Sequence, residues 1–376
     1  MLKLAIVHFN PIDSYPPVMN WLNYLSENSK GKLEVRVFTR YPLTRVPEYV
    51  SPGPTILIVR SSNTTGRNPL KRIWSYFKFY FSTTWELILW KPDSVLYYET
   101  FSSFPALFYK RFVRRNARLL VHYHEYTSPD EYRSPMTLNH WGHRLERRNY
   151  SLYSWVSHTN DDRMRLFLQD NETINIPNRQ ILPNYPPSSW KGKKKINVEG
   201  APIRFIYVGS LSLDTMYTKE FSDWVNDQGG SVTWDIYSNN MSQDVELFFS
   251  QSENTNIRFQ GGVNYFLLPE ILRNYDIGLI LYKGHIPNYV YNVPNKLLEY
   301  FACGLDVWFP DSMISSLGFV TKNTYPKILA IDFENLKRLD LALTTNHSEL
   351  VYNPSTFFTE DLFDYFLKNG LGLDRD

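Results

Sequence analysis

The segment Asn292-Val293-Pro294-Asn295-Lys296-Leu297-Leu298-Glu299-Tyr300-Phe301-Ala302-Cys303-Gly304-Leu305-Asp306-Val307 reads as a helix leading into a strand. Pro294 suits the first turn of a helix, where its missing N–H costs nothing. Gly304 suits the cap that ends it, and Val307 opens the next apolar run. A strand at 277–282 precedes this helix, so its N-terminus falls at the carboxyl end of a sheet. There the amides of Asn295 and Lys296 and the positive end of the dipole suit phosphate oxygens. Glu299 lies about a turn and a half inside, where its carboxylate can accept two hydrogen bonds from a vicinal diol such as a ribose. Taken alone, the same residues also describe an ordinary amphipathic helix with a proline start and a solvated glutamate.

Three further turns share this character. In Phe205-Ile206-Tyr207-Val208-Gly209-Ser210-Leu211-Ser212 a strand runs into a turn. Gly209 there lets backbone approach a pyrophosphate, with Ser210 beside it. The helix that follows carries Lys219, a point charge for the same group. In Ile257-Arg258-Phe259-Gln260-Gly261-Gly262-Val263-Asn264-Tyr265 the backbone of Gly262 and Val263 suits a planar base, although a plain turn has the same composition. In His122-Tyr123-His124-Glu125-Tyr126-Thr127 a polar end closes an apolar strand. The spacing puts both histidines on one face without a third ligand, so it reads as the lining of a cleft and no metal is expected.

Apolar runs alternate with helix-length amphipathic segments along the whole chain. Strands are expected at 2–9, 33–38, 55–59, 94–98, 118–122 and 155–157, then at 203–208, 232–237, 257–260, 277–282 and 306–309. Such alternation argues for βαβ units and parallel sheets. The Pro-, Ser- and Lys-rich segment 186–200 reads as a linker. The expected plan is therefore a doubly wound α/β domain at 1–185, the linker, and a second such domain at 201–355. A C-terminal segment at 356–376 is expected to carry an amphipathic helix at 357–368, crossing back to the first domain.

Composition narrows the class. Of 376 residues, 43% are hydrophobic and 21% charged, which excludes a disordered chain. A single cysteine, Cys303, rules out an internal disulfide and fits a reducing compartment. The run at 1–7 is too short for a signal peptide, and no stretch reaches the ~18 apolar residues of a spanning helix. The net charge of +2 hides an asymmetry: residues 1–185 carry +9, 186–200 carry +3, and 201–376 carry −10. One half is thus suited to an anionic partner. No nucleic-acid module accompanies the basic half, so nucleic acid is not expected. Lys71-Arg72-Ile73-Trp74-Ser75-Tyr76-Phe77-Lys78-Phe79-Tyr80-Phe81 interleaves charge with rings, and Lys110-Arg111-Phe112-Val113-Arg114-Arg115 adds a second cluster. Both suit an anionic membrane surface, where each basic residue gains ~1 kcal/mol, or else a half-buried helix with a solvated face.

With these motifs in this order, the chain resembles glycosyltransferase family 4, whose retaining GT-B enzymes build bacterial polysaccharides and glycolipids. The resemblance runs through the Val-Gly-Ser turn, the Phe-Gln-Gly-Gly turn and the Pro-Asn-Lys-Leu-Leu-Glu-Tyr-Phe-Ala-Cys-Gly block, and it includes Asn184 at the end of the first domain. It implies two Rossmann-like domains facing across a cleft, a nucleoside diphosphate sugar as donor, and a glycan or lipid-linked acceptor. It implies neither metal nor cofactor. Glu299 matches the second glutamate of the family's paired motif, which binds the donor ribose. The first glutamate falls at Tyr291, and Asn292 is the neighbour able to take over a polar contact. His124 matches the histidine that reaches the donor sugar, and Lys219 the diphosphate lysine. The arginine often found earlier in that loop is Ser210 here. A cytoplasmic enzyme, peripheral on the inner face of the membrane, is the expectation. An epimerase of the same fold, or a binding module without chemistry, are the alternatives.

Overall fold

The computed structural model describes residues 1–29, 31–42, 47–64, 68–133, 137–171, 176, 178–192, 200–239, 241–250, 255–345, 347 and 350–373. Two compact units divide the chain: Met1–Pro183 with Thr359–Asp376, and Asn184–Phe358.

The first unit is built on a parallel sheet of β1 (Leu2–His8), β2 (Leu33–Arg40), β3 (Ile56–Ser61), β4 (Ser94–Tyr98), β5 (Arg118–Tyr123), β6 (Trp155–His158) and β7 (Arg179–Ile181). Their order is β3-β2-β1-β4-β5-β6-β7. The chain winds outward from β1 and then returns to lay β4 on its other side, which makes β1/β4 the switch point where doubly wound sheets hold ligands. β1, β4, β5 and β6 are buried along nearly their full length, as expected of strands covered on both faces.

In the second unit the strands are β8 (Ile203–Val208), β9 (Val232–Tyr237), β10 (Ile257–Gly261), β11 (Ile277–Leu279), β12 (Asp306–Pro310), β13 (Thr324–Tyr325), β14 (Ile328–Ile331) and β15 (Val351–Tyr352). Six of them form a parallel sheet in the order β10-β9-β8-β11-β12-β14, with the switch point between β8 and β11, and β13 and β15 pair separately. Alternate residues of β8 enter opposite cores: Phe205 and Tyr207 on one face, Ile206 and Val208 on the other, following the two-residue period of a strand.

Two boundaries differ from expectation. Asn184 and Tyr185, expected in the first domain, belong to the second unit, and residues 186–192 of the expected linker at 186–200 are packed into it. Trp190 is 3% exposed and lies 4.9 Å from the Tyr265 ring, and the Gly192 amide donates to the Ala302 carbonyl at 2.7 Å. The rest of that segment, 193–199, lies outside the described residues. The C-terminal helix starts later than its apolar pattern suggests. Phe357 packs on Tyr185, Phe301 and Phe319 of the second unit, and the helix itself is Thr359–Tyr365, continuing as a wider turn at Phe366–Gly370. This segment covers the first unit: Phe363 and Phe366 lie 4.7 and 5.1 Å from Trp21, and Phe366 lies 4.6 Å from Trp155.

Candidate functional site

At the carboxyl end of the second sheet, the helix Asn295–Ala302 is tied to β8 by close packing. Gly278 of β11 makes this possible, since a Cβ there would run into the Tyr300 ring. Tyr300 crosses that gap, and its hydroxyl accepts from the Val208 amide at 3.0 Å. Pro294 is the N-cap and the helix begins at Asn295, one residue later than the proline pattern suggests. With the helix so placed, Lys296 in its first turn reaches the turn after β8. Its Nζ lies 3.3 Å from the Tyr207 hydroxyl, 4.4 Å above the Tyr207 ring and 5.5 Å from the Tyr282 ring.

Gly209 has φ +131°, and an added Cβ would sit 2.8 Å from Lys296 Nζ. That backbone region is essentially restricted to glycine. The Gly209 amide is already used, donating to the Tyr237 carbonyl at 2.9 Å. Gly209 therefore contributes room for a neighbour rather than an amide for a phosphate. Ser210 is exposed, and its carbonyl accepts from the Tyr207 hydroxyl at 2.8 Å.

Glu299 is 8% exposed, and Tyr265 donates its hydroxyl to Oε1 at 3.1 Å. Burial pushes its carboxyl up to about 7, against the pull of the Tyr265 bond and the Lys296 charge. The turn after β10 approaches the same helix. Gly262 is exposed, a Cβ on it would meet the Asn239 side chain, and Val263 is half-buried in the core on that face. Asn292 sits in the loop before the helix, its carbonyl accepting from the Ser316 hydroxyl at 2.8 Å. Tyr291 ends the short helix Pro287–Val290, whose Tyr289 stacks on Tyr282 at 4.8 Å.

Lys219 makes no hydrogen bond or ion pair with this group among the described residues. It is exposed on the helix Thr218–Asp227, where its charge acts on Asp244. The cation against the Gly209 turn is Lys296. One turn of helix, read without its partners, did not distinguish the two lysines.

In the first unit, the switch point gathers a buried polar cluster. His124 follows β5 and is 7% exposed, with its ring 5.1 Å from Tyr98, 4.7 Å from His122, 5.4 Å from Tyr15 and 6.0 Å from His8. Burial lowers the pKa of His8 to about 4 and of His122 to about 3, and drives His124 well below its ordinary value. Burial thus favours the neutral form of all three. The Nε2 atoms of His8 and His124 are buried without a hydrogen-bond partner among the described residues.

Glu99, which the sequence pattern did not single out, holds this cluster in place. It follows β4 with φ +60°, and its Oε1 accepts from the amides of His124 at 2.5 Å and Glu125 at 3.2 Å. Burial and the Glu125 charge push its carboxyl up to about 8. A non-glycine residue at positive φ costs of order 1–3 kcal/mol and persists only where its surroundings demand it. The only sequence cue was a charged residue directly after an apolar strand. Among the described residues, no group of three or more His, Cys, Asp or Glu could hold a metal ion.

No protein-family profile matches the chain, and no curated protein matches it in sequence. Solved structures do match its fold. The lipopolysaccharide outer core galactosyltransferase WaaB, in its apo form, superposes with a TM-score of 0.64 at 13% identity, covering 99% of each chain. HepE from Anabaena, in complex with UDP and glucose, gives 0.66 at 11% identity, over 99% of this chain and 100% of that one. The UDP-GlcNAc 2-epimerase from Neisseria meningitidis bound to UDP-GlcNAc gives 0.56 at 11% identity, over 99% and 100%. Two parallel sheets with helices on their faces, matched along the whole chain, make the fold of this protein that of the GT-B enzymes, two Rossmann-like domains.

Proposed function

We propose that this protein is a glycosyltransferase that takes a sugar from a uridine diphosphate sugar and passes it to a glycan or lipid-linked acceptor. The observation that carries this reading is the arrangement of Lys296, Gly209 and Glu299 at the β8/β11 switch point: a cation over a side-chain-free turn, and a buried carboxyl a turn further along the same helix. In this reading Lys296 Nζ and the amides of Asn295 and Lys296 meet the diphosphate. Glu299, when ionised, accepts from the ribose hydroxyls, and Gly262 and Val263 border the base. The resemblance to HepE, solved with UDP, supports uracil as the base.

The chemistry breaks the bond between the anomeric carbon and the β-phosphate oxygen and forms one from that carbon to an acceptor hydroxyl, whose proton passes to the departing UDP as it leaves. The charge that develops lies on the departing diphosphate, so its stabilisation is the main catalytic task. Asn292 offers a polar contact beside Tyr291. Retention at the anomeric carbon, a place in bacterial surface polysaccharide synthesis and work on the cytoplasmic side of the membrane follow from the family resemblance. No metal or cofactor takes part in this scheme.

The test is turnover of UDP-sugars with and without acceptors. UDP release that requires an acceptor supports transfer. An epimerase is the second reading, favoured by the equal coverage of the Neisseria enzyme, and it would interconvert the donor sugar with no acceptor present. UDP binding without either activity would indicate a binding module.

A further inference from the structure

The helix Pro69–Trp90 of the first unit is apolar on its outer face as well as on its inner one. Its inward face carries Ser75, Phe79, Thr83 and Leu87, and the Ser75 hydroxyl donates to the Ser62 carbonyl at 2.9 Å. Its outward face carries Trp74, Phe77, Phe81 and Trp85, with Leu70 and Leu89 at the two ends, all more than half exposed. Phe79, Leu87 and Trp90 are buried, yet four more large rings point out. A helix on a soluble core keeps its outer face polar. The rings run in a continuous line, with successive centroids 5.6, 6.0 and 6.5 Å apart. At 22 residues the helix is about 33 Å long, so this stripe is far more than a scattered surface apolar residue.

The segments beside it continue the pattern. The helix Ser103–Phe108 and the turn Tyr109–Val113 pack against it and expose Phe108 and Phe112, and the helix Thr137–Arg147 packs against the former and exposes Trp141. Residues 69–90, 103–115 and 137–148 together hold ten Lys or Arg against two Glu, and one of those two, Glu146, is buried. No helix among the described residues is long and apolar enough to cross a membrane.

We infer that this face docks on an anionic lipid leaflet, with the helix Pro69–Trp90 lying in the interfacial plane and Trp74, Phe77, Phe81 and Trp85 inserted among the acyl chains. Aromatic rings favour that depth, and flanking cations are drawn to acidic headgroups. A second copy of the chain fits the charge poorly. A two-fold contact sets the same patch against itself, which would bring the ten cations of one copy against those of the other. The sequence pattern offers both charges and rings; the exposure of the rings assigns the anchoring to them.

The experiment is flotation of the full chain with vesicles of phosphatidylcholine alone or of equimolar phosphatidylcholine and phosphatidylglycerol. Two variants accompany it: Trp74→Ser with Phe77→Ser and Phe81→Ser, and Lys71→Ser with Arg72→Ser and Lys78→Ser. The parent should float with the anionic vesicles. The aromatic variant should lose at least about tenfold in partitioning at any salt concentration. The basic variant should lose affinity at low salt only, because screening erases exposed charge effects. Binding of UDP should be equal in all three, so failure here leaves the donor site untouched. Absence of parent binding, or full binding by the aromatic variant, overturns the inference. So does a dimer in sedimentation velocity that dissociates on the aromatic substitutions, since a second copy would then cover the stripe.

Discussion

The ammonium of Lys296 and the missing side chain of Gly209 occupy neighbouring space: a Cβ on Gly209 would lie 2.8 Å from Nζ, on a backbone at φ +131°. Alanine at 209 would strain the turn and displace the lysine together. Gly209→Ala should cost about 1–3 kcal/mol in stability and also weaken UDP binding. Denaturant unfolding and calorimetry on the same variant check both effects. Wild-type values in both would mean the turn has no such constraint.

The two lysines expected near the diphosphate separate on position. Lys296→Met removes the cation that faces the Gly209 turn and should weaken UDP binding about ten- to a hundredfold, as a bond to a charged group contributes about 1.5–3 kcal/mol. Lys219→Met removes an exposed charge whose neighbour is Asp244, and should leave affinity within about twofold. The opposite ranking in a titration series would return the role to Lys219.

Glu99 supplies a stability test with a definite sign. Its folded pKa is raised from 4.5 to about 8, chiefly by burial. A raised pKa contributes stability that is fully present below the unfolded value and is lost as pH climbs through the folded one. Compared with Glu99→Gln, which keeps an acceptor for the His124 and Glu125 amides, the wild type should therefore lose stability between about pH 4.5 and 8. Glu99→Ala, which leaves the His124 amide unmet, should cost about 1–3 kcal/mol at any pH. Parallel pH profiles for wild type and the Gln variant would show that Glu99 does not titrate in this window.

Much of this was visible in the residues themselves. The alternation of apolar strands with amphipathic helices pointed to two parallel sheets, and Pro294 and Gly304 bracketed the helix Asn295–Ala302. β7 escaped notice because Arg-Gln-Ile has no apolar run; it is placed by pairing with β6. Lys296 meets Tyr207 across 89 residues, a proximity no local pattern reveals. Nothing near Glu99 signals its positive φ, which arises from the amides of a neighbouring strand end. The aromatic helix was recognisable by composition, but which of its faces points outward is set by the sheet beneath it.

The account rests on a nucleoside diphosphate held by the second unit, and calorimetric titration of UDP into wild type and Glu299→Ala tests it most directly. The prediction is binding to the wild type and a loss of about ten- to a hundredfold in the variant, because a buried charge-assisted acceptor for the ribose diol is removed. Wild-type affinity should also fall as pH drops through about 7, where the Glu299 carboxyl takes up its proton, and the variant should keep only the dependence that comes from the terminal phosphate of UDP. Equal affinities for the two proteins across that range, or no UDP binding at all, would contradict the central claim.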